Sequence, residues 1–325
     1  MKKISRRQML AGAAGSIFLQ ACSRQPAAQV LDSNAPKPLV SVIRAAAYTQ
    51  DLYDTVRRVL VDHKLNVRGK RVVLKPNLVE FDRNTAINTH PLLVHATLEA
   101  FRAIGASDVR IAEGPGHRRN TLDLADAAGY FETIPGFEEL FTDLNLDDIT
   151  KLTLRNPFSK LRDVYLPNTI LGADLVVSMP KMKTHHWVGA TLSMKNFFGI
   201  IPGGVYGWPK NVLHWSGIHQ CIVDLSSIPS RTFAIADGIV GMEGNGPIQG
   251  TPKNCGVIVA GRVLPAVDAT CSRVMGIDPN QVVYLNAPDR PHYNDESSIT
   301  QAGETPRVVR TDFQLIQDFA PLRLA

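Results

Sequence analysis

From residue 39 onward, short runs of β-branched and aliphatic residues alternate with longer stretches in which apolar residues recur every three or four positions. Runs of the first kind predict buried strands, and stretches of the second kind predict helices with one apolar face. The predicted strands cover residues 40–43, 71–74, 109–112, 173–179, 233–236, 257–260 and 307–310, and the predicted helices cover residues 52–60, 91–103, 121–131, 221–225 and 266–274. This alternation is typical of an α/β fold, in which mixed or mostly parallel sheets are covered by helices.

The predicted elements divide the chain into two lobes with a ligand crevice between them. Residues 39–170 form the N-terminal lobe in this interpretation, and residues 171–325 form the C-terminal lobe. Open α/β sheets bind ligands beyond the carboxyl ends of their strands, so polar residues that directly follow a strand are candidates for a site. Lys75 and Asn77 follow the second predicted strand and are predicted to bind a ligand or cofactor.

Between Asp174 and Asp224 the chain carries no Asp or Glu over 49 residues, although the whole sequence has 30 acidic residues. The same segment contains four Lys and four of the nine His. Ammonium groups, imidazoles and glycine-rich backbone together attract an anionic group. We therefore predict a site for a small carboxylate or phosphate. The residues of this segment predicted to bind the ligand or a cofactor are Lys181, Lys183, Lys195 and Asn196.

Each of these residues also has a structural interpretation. Lys181 and Lys183 are equally consistent with solvated charges in a loop. His185 and His186 are adjacent, so an extended chain points them to opposite sides, and we expect only one of them to face the crevice. Lys195 lies close to apolar residues, where an unpaired lysine is costly to bury, and this favours a functional role for it.

Acid/base chemistry needs groups that exchange protons near neutral pH, and histidines and carboxylates in loops at strand ends are suited to it. His185 is one catalytic candidate, and Glu113 and His117, which flank a Gly-Pro-Gly segment after a predicted strand, are two more. Asp237 ends another predicted strand, and the turn-rich loop after it either positions an acid or reverses the chain. Further candidates for the site are His186, His214, Asp237, Glu243 and Asn245.

Residues 1–21 predict an export signal rather than a part of the fold. They begin with basic residues, continue with a short uncharged apolar stretch and end with small residues, as export signals do. The pair Arg6-Arg7 resembles the twin-arginine signal, and Cys22 follows a segment that resembles a lipoprotein cleavage box. We therefore expect lipidation of Cys22, with residues 22–38 as a flexible tether to the membrane. Cleavage of the signal without lipidation is the alternative.

Composition and charge argue against a disordered chain and against a nucleic-acid partner. Hydrophobic residues make up 44% of the chain and charged residues 20%, which is the profile of a globular protein. The formal charge is +5, but four basic residues lie before residue 8, within the predicted signal. The rest of the chain is nearly balanced, so its net charge implies no polyanion-binding surface.

The cysteines argue against a metal cluster bound by this chain. If Cys22 is lipidated, Cys221, Cys255 and Cys271 remain. Their spacing matches neither zinc nor iron–sulfur ligand patterns. We interpret them as small buried apolar side chains, with room for at most one disulfide.

The motif Val73-Leu74-Lys75-Pro76-Asn77 is followed by characteristic segments at residues 90–91, 173–185, 191–199 and 241–247. In these segments the chain resembles the bacterial and archaeal family called domain of unknown function 362. The resemblance spans most of residues 39–325 and implies one family domain whose activity is unassigned. Some members carry ferredoxin-like cluster modules, and this chain lacks their cysteines.

A fainter likeness is carried by His185, Lys195 and Pro202-Gly203, together with Gly116-His117-Arg118. Their order is similar to that of the nickel-pincer lactate racemase family, in which a histidine precedes a cofactor-bearing lysine and a Pro-Gly turn. This likeness implies an enzyme with a cofactor. A metal or an organic cofactor is compatible with the predicted site, and the identity of either is unknown.

Three hypotheses about function follow. The leading one is an exported, lipid-anchored enzyme that acts on a small anionic substrate, with lysines holding the anion and histidines exchanging protons. The second is an anion-binding lipoprotein without turnover. The third is an accessory protein of a redox complex in the cell envelope. All three place the protein in the periplasm or cell envelope, and its partners would be the export machinery, a membrane and a small anionic ligand. The sequence does not define an oligomeric state.

Overall fold

A computed structural model describes residues 36–288 and 291–325 of the chain. The predicted signal, residues 1–21, and the predicted lipidation site Cys22 lie outside this part, as does most of the predicted tether. Within the described ranges, no helix has the length and apolar character that crossing a membrane requires.

Twelve strands are present in the described part of the chain, and ten of them form one sheet. The strands are β1 (Leu39–Arg44), β2 (Arg71–Pro76), β3 (Asp108–Glu113), β4 (Phe141–Asp143), β5 (Ile149–Thr153), β6 (Asp163–Pro167), β7 (Leu175–Met179), β8 (Lys181–His185), β9 (Gly189–Thr191), β10 (Thr232–Asn245), β11 (Gln249–Gly261) and β12 (Thr300–Gly303). The order in the main sheet is β12-β1-β11-β10-β7-β2-β3-β4, and β8 pairs with both β10 and β9. Strands β5 and β6 form a separate hairpin.

Helices cover both faces of the sheet. They are α1 (Leu52–Asp62), α2 (Pro91–Ala103), α3 (Thr121–Ala127), α4 (Tyr130–Thr133), α5 (Phe137–Leu140), α6 (Asn168–Leu171), α7 (Gly203–Tyr206), α8 (Val212–Trp215), α9 (Ile218–Ser226), α10 (Leu264–Val274) and α11 (Pro306–Val309). Short 3-10 helices lie at Lys195–Ile200, Pro279–Gln281, Val283–Asn286, Glu296–Ser298 and Gln317–Leu322. The predicted α/β fold is therefore confirmed.

The centre of the sheet is parallel. Strand β2 pairs in parallel with β3 and β7, and β7 pairs in parallel with β10. Parallel strands lie between two layers of helices, so consecutive residues are apolar and alternate residues pack against opposite layers. In β2, Val72 and Leu74 pack with α1 and α2 on one face. Val73 packs with α9 and α10 on the other.

Both predicted lobes contribute to the same sheet. Strand β1 lies between β11 and β12 from the other end of the chain, and β2 pairs with β7 across the predicted division at residue 170. The two halves are therefore joined by backbone hydrogen bonds along the sheet. The division of the chain into two lobes at residues 170 and 171 stays a prediction.

Two local predictions were wrong. Residues 307–310, predicted as a strand, belong mainly to the helical turn α11, which begins at Pro306 because the fixed φ angle of proline suits the first helical position. Residues 243–247 were predicted as a loop, yet β10 continues to Asn245 and pairs with β11. Glycines in β10 made this segment resemble a loop.

Two earlier glycines of β10 allow β8 to approach it. A Cβ atom on Gly238 would lie 2.4 Å from the sulfur of Met182, and one on Gly241 would lie 2.7 Å from the carbonyl oxygen of Met182. Side chains at these two positions would collide with β8, so the sheet needs glycine there. Asp237 consequently lies inside a long strand, opposite Lys181 of β8.

A buried carboxylate on α10 fixes the segment that leads into the 3-10 helix Lys195–Ile200. Asp268 accepts hydrogen bonds from the backbone N–H of Ser193 (2.8 Å) and of Met194 (3.1 Å), and from the Ser193 hydroxyl. Burial raises the pKa of Asp268 to about 7, and the hydrogen bonds oppose that shift. Asp268 thus fixes the start of the helix that carries Lys195.

We predict that Asp268→Ala destabilises the protein by roughly 3 kcal/mol, because two backbone donors and one hydroxyl lose their buried acceptor. Urea unfolding followed by circular dichroism measures the change. Asp268→Asn, which keeps the shape and one carbonyl oxygen, should cost less. Equal midpoints for Asp268→Ala and the unmodified protein would contradict this role.

Candidate functional site

A cavity of about 410 Å³ lies beyond the carboxyl ends of β2 and β3 and alongside β8. This is the position at which open α/β sheets bind ligands. Its polar lining comes from segments that are far apart in the sequence: Lys75, Asn77, Glu113, His117, Lys183, His185, His186, Thr191, Lys195, Asn196, Lys210, Asn211, His214, Asn245 and Gln249. Eleven of the candidates predicted from the sequence are in this set.

The floor of the cavity is a buried ion pair between neighbouring parallel strands. Lys75 Nζ lies 2.5 Å from Glu113 Oε2, and both side chains are almost completely buried. Glu113 also accepts hydrogen bonds from the backbone N–H of Gly114 (2.8 Å) and Leu78 (3.3 Å). Burial lowers the pKa of Lys75, and the Glu113 carboxylate opposes that shift. The charge of Glu113 is thus neutralised by Lys75, and both of its carboxylate oxygens accept hydrogen bonds.

Asn196 connects this ion pair to the 3-10 helix. Its side-chain oxygen accepts a hydrogen bond from Lys75 Nζ (3.2 Å), and its Nδ2 donates to the carbonyl oxygen of Lys75 (3.0 Å). The same Nδ2 donates to Ser178 Oγ at the end of β7 (3.1 Å). Strands β2 and β7 and the 3-10 helix are therefore joined by one side-chain amide.

Gly199 closes the floor from the other side. A Cβ atom there would lie 1.8 Å from Glu113 Oε1 and 2.5 Å from Lys75 Nζ. No side chain larger than hydrogen fits between the helix and the ion pair, so the backbone of the 3-10 helix packs directly on the pair.

Two further lysines reach the cavity with their ammonium groups on carbonyl oxygens rather than on carboxylates. Lys183 Nζ donates to the carbonyl oxygens of Ile87 (2.9 Å) and Pro247 (3.3 Å). Lys210 Nζ donates to the carbonyl oxygen of Gly114 (2.6 Å). Burial lowers the pKa of Lys183 well below its ordinary range and lowers that of Lys210 to about 7.

Lys195 differs from the other lysines of the cavity. Its Nζ lies 3.6 Å from the centroid of the Phe198 ring, and in residues 36–288 and 291–325 no oxygen atom accepts a hydrogen bond from it. Burial, reinforced by the charges of Lys75 and Lys210, lowers its pKa to about 7. Lys195 is therefore poised to change protonation state near neutral pH.

His185 and His186 both line the cavity, so the expectation that only one of them faces it was wrong. Strand β8 ends at His185 and the chain turns at His186, which brings the ring centroids to 5.0 Å. The turn removes the alternation that an extended chain would impose.

Hydrogen bonds give the two rings complementary tautomers. The backbone N–H of Trp187 donates to His185 Nδ1 (3.0 Å), so a neutral His185 ring carries its proton on Nε2. His186 Nδ1 lies 2.7 Å from the carbonyl oxygen of Gly246 and must donate to it, which leaves Nε2 of a neutral His186 ring as an acceptor. The pair thus offers one donor and one acceptor. Burial and nearby Lys195 lower the pKa of His185 well below its ordinary range.

Several buried polar atoms of lining residues have no protein partner within the described ranges. They are Asn77 Oδ1, Thr191 Oγ1 and His214 Nδ1. Leaving such atoms unpaired is costly, so a bound ligand or water would stabilise this arrangement. Burial, with Lys195 and His186 nearby, lowers the pKa of His214 to about 4.

Three predicted site residues lie away from this cavity. Lys181 forms an ion pair with Asp237 (2.6 Å) in which both side chains are buried. The alternative that Lys181 is a solvated charge in a loop was therefore wrong. Tyr48 bridges that pair, since its hydroxyl donates to Asp237 (2.8 Å) and accepts from Lys181 (2.9 Å). Lys181 borders a second, more open cavity of about 460 Å³. Glu243 pairs with Lys253 at 3.1 Å on the β10–β11 hairpin.

His117 lines the cavity, and Asn145 bonds to the segment that precedes His117. The His117 ring is nearly half exposed and lies 3.8 Å from a carboxylate oxygen of Glu80. Buried Asn145 accepts a hydrogen bond from the backbone N–H of Gly203 (2.8 Å) and donates one to the carbonyl oxygen of Pro115 (3.1 Å), so it joins the Gly-Pro-Gly segment to the start of α7.

Sequence reasoning missed Lys210 and Thr191. Lys210 belongs to the acid-free segment, and that absence of acids was the signal that could have identified it. Within the described part of the chain, no three His, Cys, Asp or Glu side chains are grouped closely enough to hold a metal ion.

Residues 72–273 match the family described as Domain of unknown function (DUF362). The chain belongs to this family. The match includes the Lys75–Glu113 pair, the acid-free segment and Asp268, so the whole cavity lies within the family domain. The resemblance found in the sequence is confirmed.

Relatives of this DUF362 member include a thylakoid-associated protein of Synechocystis sp., which is 26% identical over 228 residues, 68% of each chain. Among solved structures, the lactate racemase apoprotein of Thermoanaerobacterium thermosaccharolyticum has a TM-score of 0.40 at 14% identity, covering 61% of this chain and 50% of its own. A Thermotoga maritima protein has a TM-score of 0.37 at 12% identity, covering 71% and 60%. The chain thus spans only half to three fifths of these two structures.

We predict that Lys75→Met destabilises the protein by about 3–5 kcal/mol, because it leaves the Glu113 carboxylate buried without a counter-charge. Urea unfolding measures the change. The double variant Lys75→Met/Glu113→Gln should recover part of this loss, since it removes both charges.

Lys151→Met is the matched control. Like Lys75, Lys151 pairs with a carboxylate, that of Asp163 at 3.0 Å, but both of these side chains are well exposed. Loss of the Lys151–Asp163 pair should therefore change the free energy of unfolding little. Similar losses for Lys75→Met and Lys151→Met would show that burial of the Lys75–Glu113 pair does not determine its contribution.

Proposed function

We propose that this DUF362 member is an exported, lipid-anchored protein that binds a small carboxylate or phosphate in the 410 Å³ cavity and acts on it by acid/base chemistry. A cavity of this volume is within the usual range for small-molecule sites. Its position beyond the carboxyl ends of parallel strands is also the usual one.

The observation that carries the proposal is the charge balance of the lining. Four lysines line the cavity, and Glu113 is the one carboxylate among the lining residues. Glu113 is already paired with Lys75. Lys183, Lys195 and Lys210 therefore face a shared volume without a counter-charge, and an anion in that volume would supply it.

The histidines supply the proton exchange in this proposal. A ligand between the two rings can receive a proton from Nε2 of His185 and give one to Nε2 of His186, as their hydrogen bonds arrange the neutral tautomers. His186 is partly exposed and can exchange its proton with solvent. Acid and base functions of this kind require hydrogen-bond reach to the ligand.

We predict that sulfate and acetate raise the Tm of the protein, and that this effect weakens as the pH rises from 6 to 9. Lys195 and Lys210 have pKa values of about 7, so they are charged below pH 7 and lose their protons above it. Affinity should fall by up to about tenfold per pH unit for each lysine that must be protonated. Thermal shift titrations at fixed ionic strength measure the effect.

Lys195→Met should remove most of the stabilisation by sulfate, whereas Lys151→Met, at an exposed site outside the cavity, should leave it unchanged. A sulfate effect that is equal in all three proteins would reflect general salt stabilisation and would overturn the proposed site. Stabilisation that is constant from pH 6 to 9 would contradict the role of the two lysines.

Membrane anchoring is supported by the twin-arginine-like pair and Cys22 in the sequence, and by a relative that is named as thylakoid-associated. We predict that replacing Arg6 and Arg7 by Lys blocks export, and that Cys22→Ala leaves the exported protein in the soluble fraction. Cell fractionation with immunoblotting measures both. Continued export of the Arg variant would exclude the twin-arginine route, and a membrane-bound Cys22→Ala protein would exclude this anchor.

A further inference from the structure

The four lysines of the cavity differ in what their nitrogen atoms contact. Lys75 Nζ has a carboxylate, a carbonyl oxygen and an amide oxygen as acceptors. Lys183 Nζ has two carbonyl oxygens and Lys210 Nζ has one. Lys195 Nζ has the face of the Phe198 ring and, in the part of the chain that the structure describes, no oxygen acceptor.

An amine can act as a nucleophile only when it is neutral and its lone pair is accessible. Hydrogen bonds to protein oxygens fix the nitrogen atoms of Lys75, Lys183 and Lys210 in place, so these three lysines are less free to approach a bound molecule. The face of the Phe198 ring attracts the ammonium form of Lys195 more weakly than an oxygen acceptor does, so this contact opposes loss of the proton less. Lys195 is also partly exposed and borders the cavity, so a bound molecule can reach it.

We propose that Lys195 is an amine nucleophile that forms an imine with a small anion carrying a carbonyl group, such as a 2-oxo acid. This inference rests on the proposed anion-binding function and names the substrate class of the same cavity. Other lining groups can hold the carboxylate: Lys183 and Lys210 use two and one of their three N–H groups on protein oxygens. The remaining N–H groups are available to the anion.

The environment of Lys195 favours this chemistry. Its pKa of about 7 means that about half of the amine is neutral at pH 7, on the order of a thousandfold more than for a lysine of ordinary pKa. Lowering of a lysine pKa by burial and neighbouring cations is an established way to activate the amine. Lys75 and Lys210 supply those neighbouring charges.

The reaction balances without an external oxidant or reductant. The lone pair of Lys195 Nζ attacks the carbonyl carbon, and the electron pair of the carbonyl bond moves to oxygen. His186 Nε2 can take a proton from the nitrogen and return it to that oxygen, and a further proton from solvent allows the hydroxyl group to leave as water. One amine, one carbonyl and one proton thus give an iminium ion and one water molecule.

Trapping with sodium cyanoborohydride tests the inference. The purified mature protein is incubated with pyruvate and the reductant at pH 7, and the product is analysed by intact mass and peptide mapping. We expect one carboxyethyl group per chain, located on Lys195. Excess acetate, which has no carbonyl group able to form the imine, should suppress the adduct by occupying the cavity.

Lys195→Arg is the matched variant, because it keeps a cation beside Phe198 but cannot form the imine. It should lose the adduct, whereas Lys151→Met, at an exposed site outside the cavity, should keep both the adduct and the Tm increase caused by sulfate. If Lys195→Arg fails to fold, peptide mapping of the adduct in the protein without substitutions still identifies which lysine has reacted. Stabilisation by sulfate without an adduct on Lys195, or with adducts spread over surface lysines, would overturn the imine and leave the anion site standing. Absence of both would overturn the anion site as well.

Discussion

The site depends on the ion pair between Lys75 and Glu113. The two residues lie at the carboxyl ends of the adjacent parallel strands β2 and β3, and their side chains are buried where water cannot screen their charges. Such a pair tolerates no uncompensated charge and no intruding side chain. Gly199 packs against it and Asn196 bonds to it, so the ion pair holds the 3-10 helix that carries Lys195 against the floor of the cavity.

Neutralisation of Glu113 by Lys75 also determines the electrostatics of the cavity. A free carboxylate in this position would provide a counter-ion for Lys195 and Lys210 and would keep their pKa values high. Because Glu113 is already paired and bonded by two backbone N–H groups, the other lysines repel one another instead. The same buried pair therefore positions the helix and makes the cavity positive.

Local patterns were sufficient to predict the elements that build this floor. A strand that ends in Lys-Pro-Asn, and another that ends in Glu-Gly, place Lys75 and Glu113 at one edge of a parallel sheet. Patterns were not sufficient for the end of β10, because Gly244 and Gly246 look like turn residues until the pairing with β11 and the close approach of Gly246 to Thr184 of β8 are known. Lys210 was missed for a related reason: its ammonium group donates to the carbonyl oxygen of Gly114, a residue 96 positions away in the sequence.

The missing acids between residues 174 and 224 have a physical explanation in this arrangement. Strand β8, the 3-10 helix and the loop before α8 each deliver one lysine of this segment to the cavity. An Asp or Glu in any of them would lie within reach of those ammonium groups and neutralise the cavity. Lys181, the fourth lysine of the segment, differs from the other three because it borders a different cavity. Its carboxylate partner, Asp237, comes from β10, outside the segment. The segment without Asp or Glu is thus the segment that supplies three of the lysines around the proposed anion.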